Sequence, residues 1–194
     1  MSRIVFLVLG LGNPGPEYEL TRHNAGFLAL DTLSEKHGIP LDDHRFHALF
    51  GSGRVGECEA VLAKPLTYMN ESGVAARALL KALELPPERL IVLHDDIDLQ
   101  LGRIKCKFGG GNAGQKGIGS IIARLGTDKF HRVRLGIGRP ESREEIVDYV
   151  LSPFTDEEVP EVNQVLEDAA RRIEKTLIEL NSPSQSQATE EHTE

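Results

Sequence analysis

Residues 10–26 read Gly-Leu-Gly-Asn-Pro-Gly-Pro-Glu-Tyr-Glu-Leu-Thr-Arg-His-Asn-Ala-Gly and overlap the end of an apolar run from Ile4 to Leu11. The continuous apolar run predicts a buried β-strand. This strand leads into a loop rich in glycine and proline that holds Asn13, and His23 follows at the predicted start of a helix. Because ligands of α/β proteins bind where strands end, we expect this stretch to form half of a functional site.

Strands and helices alternate along the rest of the chain. Thr155 and Glu158 have the spacing of a capping box, and Val159 and Val162 are expected on the inward side of the helix that follows. The alternation indicates one α/β domain over residues 1–180, and the polar residues 181–194 are expected to form a disordered tail. The pattern predicts strands near 4–10, 48–53, 60–63, 90–93, 103–108 and 131–138, and helices over about 22–37, 72–84, 116–125 and 155–180.

The composition is that of a soluble protein with one core. The chain has 194 residues, of which 40% are hydrophobic, and its two cysteines, Cys58 and Cys106, form no C-x-x-C pattern. A disulfide framework is therefore not expected, and the cytosol is the predicted compartment. The short apolar run at the N-terminus is interpreted as the first strand rather than as a signal peptide. No stretch approaches the ~18 apolar residues of a membrane helix.

The charge is unevenly distributed. The net charge is −8, yet residues 103–143 hold ten basic and two acidic residues, while both flanking segments are acidic. A basic segment within an acidic chain is typical of contact with a polyanion. Any single one of these residues could equally be an ordinary solvated surface charge.

Two readings of the opening stretch are possible. Gly10, Gly12 and Gly15 match the dinucleotide-binding pattern G-x-G-x-x-G, but the prolines within and just after it and the later helix start do not fit that use. The alternative rests on His23 and on Asp95, which follows another predicted strand, in a chain with no G-x-S-x-G nucleophile motif. Such a pair favours general-base activation of water.

Other polar clusters have competing interpretations. The segment His94-Asp95-Asp96-Ile97-Asp98 could bind a divalent metal ion or simply form a turn. Asn13 and Asn70 could cap helices or donate to a carbonyl oxygen or an oxyanion. The glycine-rich residues 109–119, with Lys116 at a helix start, could hold a phosphate or a carbonyl, or be a mobile surface loop.

Four stretches of the chain form distinctive motifs. They are Leu-Gly-Asn-Pro-Gly-x-x-Tyr-x-x-Thr-Arg-His-Asn-Ala-Gly (11–26), Lys-Pro-Leu-Thr-Tyr-Met-Asn-x-Ser-Gly (64–73), His-Asp-Asp-Ile-Asp-Leu-x-x-Gly (94–102) and Phe-His-Arg-Val-Arg-Leu-Gly-Ile-Gly-Arg-Pro (130–140). Together they resemble the bacterial peptidyl-tRNA hydrolase family over about residues 3–180. The resemblance implies a twisted mixed β-sheet flanked by helices on both faces, in a cytoplasmic and mostly monomeric enzyme without metal or cofactor. It also implies cleavage of the ester between a peptide and the 3′-terminal ribose of tRNA, with contacts to the acceptor stem and the CCA end.

The resemblance implies a role for each matching residue near the reacting ester. His23 would be the general base that activates water, and Asp95 would orient it. Asn70, together with Met69, would place the substrate near the scissile ester. Asn13 would hold the peptide or the terminal nucleotide.

The same resemblance extends to the walls of the groove and to the tRNA. Tyr68 would line the groove, and Tyr18 belongs to the same substrate-binding set. Lys107 and Arg134 would clamp the 5′-phosphate of the tRNA, with Lys105 beside them. These three residues fall in the basic segment that the charge distribution identifies independently.

The chain departs from the family where Gly-His-Asn-Gly is usual and Gly114-Gln115-Lys116-Gly117 stands instead. Lys116 cannot accept a hydrogen bond, so we expect it to donate one to a substrate carbonyl or phosphate, with hydrolysis retained. An RNA-binding module without hydrolysis and a nucleotide-dependent oxidoreductase remain alternatives.

Overall fold

A computed structural model describes residues 5–182 as a seven-stranded sheet with the order β2-β3-β4-β1-β5-β7-β6. The strands are β1 (Val5–Gly10), β2 (Asp43–Arg45), β3 (Ala48–Val55), β4 (Cys58–Pro65), β5 (Leu90–Asp96), β6 (Ile104–Phe108) and β7 (His131–Gly136). The helices are α1 (Ala25–His37), α2 (Ser72–Ala82), α3 (Lys116–Leu125), α4 (Ile146–Val150) and α5 (Val159–Asn181).

The direction of the strands places several loops at one edge of the sheet. Strands β4, β1, β5 and β7 are parallel, whereas β3 and β6 run antiparallel to their neighbours, so the sheet is mixed as expected. The carboxyl ends of the four parallel strands therefore meet, and this is where α/β proteins bind ligands.

Helices cover both faces of the sheet, as the sequence predicts. On one face, α1 packs against β1 and β5, and α5 packs against α1 and against β4, β6 and β7, through buried side chains such as Leu30 and Ile173. On the other face, α2 and α3 bury Leu79 and Ile118 against β1 and β5. Burying both faces explains why β5 is a continuous apolar run before its polar end.

Several element boundaries differ from the prediction. The first predicted helix begins with a separate 3₁₀ turn, Arg22–Asn24, before α1. Strand β5 continues through Asp96, so Asp95 and Asp96, which were expected to follow the strand, belong to it, whereas Asp98 lies in the turn after it. The expectation that Val159 faces inward is wrong, because its side chain is 42% exposed at the first turn of α5. The predicted tail lies outside the described residues, apart from its first two positions.

Two glycines let α1 start directly on the sheet. A Cβ on Gly26 would lie 2.4 Å from the carbonyl oxygen of Leu93, and one on Gly10 would lie 2.5 Å from the carbonyl oxygen of Gly26. Real side chains cannot approach backbone so closely, so only glycine allows helix and strands to meet here. This close approach brings the 3₁₀ turn that holds His23 to the end of β5.

Candidate active site

His23 and Asp95 lie in direct contact although they are 72 residues apart in the chain. The distance between His23 Nδ1 and Asp95 Oδ2 is 2.7 Å, and the Asp95 side chain is only 3% exposed. A carboxylate only accepts hydrogen bonds, so Nδ1 carries the proton and donates it. This fixes the tautomer in which Nε2 keeps its lone pair, as a general base requires.

Gln115 holds the other oxygen of the same carboxylate. Its Nε2 donates to Asp95 Oδ1 at 3.0 Å and approaches Met69 Sδ at 3.3 Å, while its Oε1 accepts from the Ile118 N–H at 2.8 Å. Gln115 is thus the N-cap of α3. No sequence pattern assigns a role to Gln115. Its position between the glycine-rich loop and a predicted helix start was the only signal.

Asn13 joins three loops of the site. Its side-chain oxygen accepts from the Met69 N–H at 2.7 Å. Its backbone exchanges two hydrogen bonds with the Asn24 amide, of 2.8 and 3.0 Å, next to His23. The Asn13 amide NH₂ makes no hydrogen bond within residues 5–182 and lies at the wall of the cleft. It is therefore a free donor on a residue that lines the cleft.

Arg22 anchors the turn that holds His23. Its guanidinium donates two hydrogen bonds to Glu158, of 2.9 and 2.8 Å, and stacks 4.4 Å from the centroid of the Tyr149 ring. The hydrogen bonds from Arg22 lower the pKa of the Glu158 carboxyl, more than burial raises it. This contact connects the 3₁₀ turn that holds His23 to the segment before α5. The sequence does not predict it.

The basic residues divide between the cleft and the outer surface. Lys107 and Arg134 line the cleft, and Arg134 Nε donates to Asp96 Oδ2 at 2.7 Å. Lys105 pairs with Arg134 across β6 and β7, but it is exposed and does not line the cleft. Arg132 is buried and donates to the carbonyls of residues 110 and 111, so it holds the glycine-rich loop in place.

The cleft has a volume of about 590 Å³ and combines these polar groups with an apolar wall. Lys116, Asn70 and Met69 line it together with the catalytic candidates. The apolar wall, which the sequence analysis missed, consists of Ile97, Ile146, Val147, Val150 and Leu151. All but the first belong to or directly follow α4, a helix too short to give a clear periodic pattern.

Tyr18 and Tyr68 do not line the cleft. Their rings pack edge to face with centroids 6.3 Å apart, and Tyr68 is 59% exposed. The structure thus places this pair on the outer surface of the loops that bear Asn13 and Asn70.

The carboxylates of residues 94–98, a candidate metal site in the sequence, each have their own partner in the structure. Asp95 binds His23 and Gln115, Asp96 binds Arg134, and Asp98 binds Arg139 at 2.9 Å. Across residues 5–182 no three His, Cys, Asp or Glu side chains are grouped so that they could hold a metal ion.

His94 adds a buried neutral imidazole behind this cluster. Burial lowers the pKa of His94, and its Nδ1 lies 2.7 Å from the Asp95 carbonyl oxygen. Because that oxygen can only accept, Nδ1 holds the proton of the neutral ring.

A cleft at the carboxyl ends of parallel strands, lined within residues 5–182 by an oriented imidazole and amide donors and by no Ser or Cys, is typical of an α/β enzyme that activates water. A sequence profile of the Peptidyl-tRNA hydrolase family matches residues 7–193. The chain therefore belongs to the peptidyl-tRNA hydrolase family, which confirms the resemblance seen in the four motifs.

Individual relatives agree with this assignment. Peptidyl-tRNA hydrolase of Bacillus thuringiensis is 46% identical over 171 residues, which cover 88% of this chain and 92% of the relative. That of Bacillus licheniformis is 48% identical over 168 residues, covering 87% and 89%. The crystal structure of peptidyl-tRNA hydrolase from Acinetobacter baumannii has a TM-score of 0.86 and 36% identity, covering 93% of this chain and 91% of that one.

No helix within the described part of the chain is long and apolar enough to cross a membrane.

Proposed function

We propose that this chain hydrolyses the ester between a peptide and the 3′-terminal ribose of tRNA, with His23 as general base and Asp95 as its orienting partner. The observation that carries the proposal is the 2.7 Å contact between His23 Nδ1 and the buried Asp95 carboxylate at the wall of the cleft. Family membership supplies the reaction class, and this contact supplies the base.

The proposed reaction proceeds through a tetrahedral intermediate. His23 Nε2 takes a proton from a water molecule while the water oxygen attacks the ester carbonyl carbon. The carbon–oxygen bond to the ribose then breaks, and the imidazolium returns the proton to the leaving 3′ oxygen. The products are tRNA with a free 3′ hydroxyl and a peptide carboxylic acid, which releases its proton to solvent to become a carboxylate. Asp95 stabilises the imidazolium while it exists.

Amide and ammonium donors would stabilise the charge that develops on the ester oxygen. The free NH₂ of Asn13 and the side chain of Asn70 face the cleft next to His23. Lys116 adds a positive charge at the first turn of α3. Donors that are already in place need no reorganisation during the reaction, which is the main source of such stabilisation.

The tRNA would enter along the basic side of the cleft. Lys107 and Arg134, which both line the cleft, would bind the 5′-phosphate, and Lys105, which pairs with Arg134 across the strands, would contact the acceptor stem. The apolar wall formed around α4 suits the peptide or the terminal adenine. The proposal includes a monomer acting in the cytoplasm, without a metal ion or cofactor.

The base assignment is tested by cleavage of N-acyl-aminoacyl-tRNA. The His23→Ala variant should lose hydrolysis while its melting temperature and circular dichroism remain those of the wild type. His44→Ala removes an exposed histidine on β2 and is the matched control, which should retain full activity. An active His23→Ala variant would remove the base assignment.

The phosphate contact is tested by substrates with and without a 5′-phosphate. Lys107→Ala should raise KM only for the phosphorylated substrate and should reduce by about one the slope of log KM against log salt. Lys81→Ala, which removes an exposed lysine on α2, serves as the control.

The contact of Lys116 with the substrate is tested by the Lys116→Asn variant. If Lys116→Asn leaves turnover and affinity for peptidyl-tRNA unchanged, position 116 does not touch the substrate.

A further inference from the structure

We propose that Gln115 is a positioning residue that sets the direction of the Asp95 carboxylate and, through it, the tautomer of His23. This inference rests on the proposed function of His23. Asp95 Oδ1 accepts from Gln115 Nε2 at 3.0 Å, while Oδ2 faces His23 at 2.7 Å. Each oxygen of the carboxylate therefore has one donor.

The orientation of the Gln115 amide is determined by its other partner. Its Oε1 lies 2.8 Å from the Ile118 N–H, which can only donate. Nε2 must then point to Asp95 and Met69, because the opposite orientation would place the amide oxygen against a carboxylate. The hydrogen bond from the Ile118 N–H thus makes Nε2 the atom of Gln115 that faces Asp95.

Gln115 is also fixed through its backbone. Its N–H donates to the Asn112 carbonyl at 2.9 Å, and its own carbonyl accepts from the Gly119 N–H at 3.1 Å. Arg132 holds the neighbouring glycine-rich loop through the two carbonyls described above. The donor is therefore part of an anchored helix start rather than of a free loop.

The consequence for Asp95 is a restricted torsion. The terminal torsion of an aspartate is broad, so one hydrogen bond alone leaves the carboxylate free to rotate. A second donor on the opposite oxygen removes that freedom and keeps Oδ2 in line with the imidazole. A glutamine amide does not titrate, so this restraint has the same strength at every pH at which the enzyme works.

The Gln115→Glu substitution separates the two functions of this side chain. A carboxylate still accepts from the Ile118 N–H and keeps the cap, but at alkaline pH it has no proton to donate to Asp95. We expect kcat to fall about ten- to a hundred-fold, as for the loss of a hydrogen bond to a charged group. KM should remain within about twofold of the wild type, because Gln115 contacts Asp95 rather than the substrate. The melting temperature should fall, because two carboxylates then face each other in a buried position.

Gln164→Glu is the matched control. Gln164 Nε2 also donates to an aspartate, Asp168 Oδ1 at 3.3 Å, but on the exposed surface of α5. This variant should keep the wild-type kcat, KM and melting temperature. Unchanged kcat in Gln115→Glu, or a loss confined to KM, would overturn the inference.

A mutant cycle distinguishes this inference from the proposed function itself. In an Asp95→Ala background, Gln115→Glu should change the residual kcat by less than about twofold, because the group through which it acts is gone. The ring ¹⁵N shifts of His23, which report the tautomer, should move in Gln115→Glu and not in Gln164→Glu. If His23→Ala is active, the base is wrong. If His23→Ala is inactive and Gln115→Glu behaves as wild type, only the role of Gln115 fails.

Discussion

Replacing Asp95 by asparagine should abolish catalysis by reversing the tautomer of His23. Gln115 Nε2 is a fixed donor 3.0 Å from Oδ1, so the new amide must turn its oxygen to Gln115. Its NH₂ then faces His23 Nδ1 at a distance of about 2.7 Å. Because Nδ1 must now accept, the proton moves to Nε2, which no longer has a lone pair for water.

The size of the effect follows from the geometry. The substitution is isosteric and Asp95 is only 3% exposed, so no rearrangement or solvent access relieves the wrong tautomer. An oriented Asp–His pair loses about 10⁴-fold in kcat on this substitution in serine proteases. We expect a loss of about 10³- to 10⁴-fold here, equivalent to about 4–5.5 kcal/mol of activation free energy. KM should change little, since Asp95 does not carry the phosphate contacts.

The assay is single-turnover hydrolysis of N-acyl-aminoacyl-tRNA, with a second variant that returns the tautomer. In Asp95→Asn/Gln115→Glu, the new carboxylate accepts from the asparagine NH₂ and turns the amide oxygen back to His23 Nδ1. The double variant should therefore be at least about tenfold more active than Asp95→Asn alone. Equal activity of Asp95→Asn and the wild type, or a double variant no better than Asp95→Asn, would refute the tautomer argument.

Three further predictions concern the support of the site. Glu158→Gln should lower the free energy of unfolding by about 2 kcal/mol at pH 7, because Arg22 is buried. Since Arg22 lowers the pKa of Glu158, this difference should begin to shrink in urea titrations below the unfolded value near 4.5 and vanish below the lowered folded pKa; a constant difference would contradict it. Gly26→Ala should cost about 3 kcal/mol and most of kcat, because its Cβ would overlap the Leu93 carbonyl; a wild-type urea midpoint would contradict this. Burial lowers the pKa of His94, so stability should be complete above the unfolded value of about 6.5 and fall below it by at most ~1.4 kcal/mol per pH unit, and His94→Gln should reduce that slope.

The fold was predictable where a local pattern and the final environment agree. Helix α3 has the predicted bounds, because glycines precede it and Gly126 adopts the left-handed conformation that ends it. Strand β2 was missed, since three residues are too few to show alternation. The prediction for Val159 is wrong because helical spacing does not show that the first turn of α5 extends beyond the core.

The polar network was less predictable than the identity of its members. The sequence singles out His23, after the loop that follows β1, and Asp95, at the end of β5. Their contact, however, depends on two glycines that bring α1 onto β5. The resemblance named Tyr18 among the substrate-binding residues, but its ring packs on Tyr68 outside the cleft. Chain position alone did not distinguish a loop side chain that faces the cleft from one that faces away.

Gln115 shows why such a network escapes sequence reasoning. Glutamine is not among the preferred N-cap residues, so the pattern gave it no structural role, and it has no charge that would mark it as catalytic. Its importance arises only when one amide meets a helix N–H and a buried carboxylate at the same time. A glutamine at this position donates to Asp95 and brings no proton equilibrium of its own next to the base. In the proposed mechanism the base therefore consists of one ionisable pair, His23 and Asp95, whose geometry is set by a neutral neighbour.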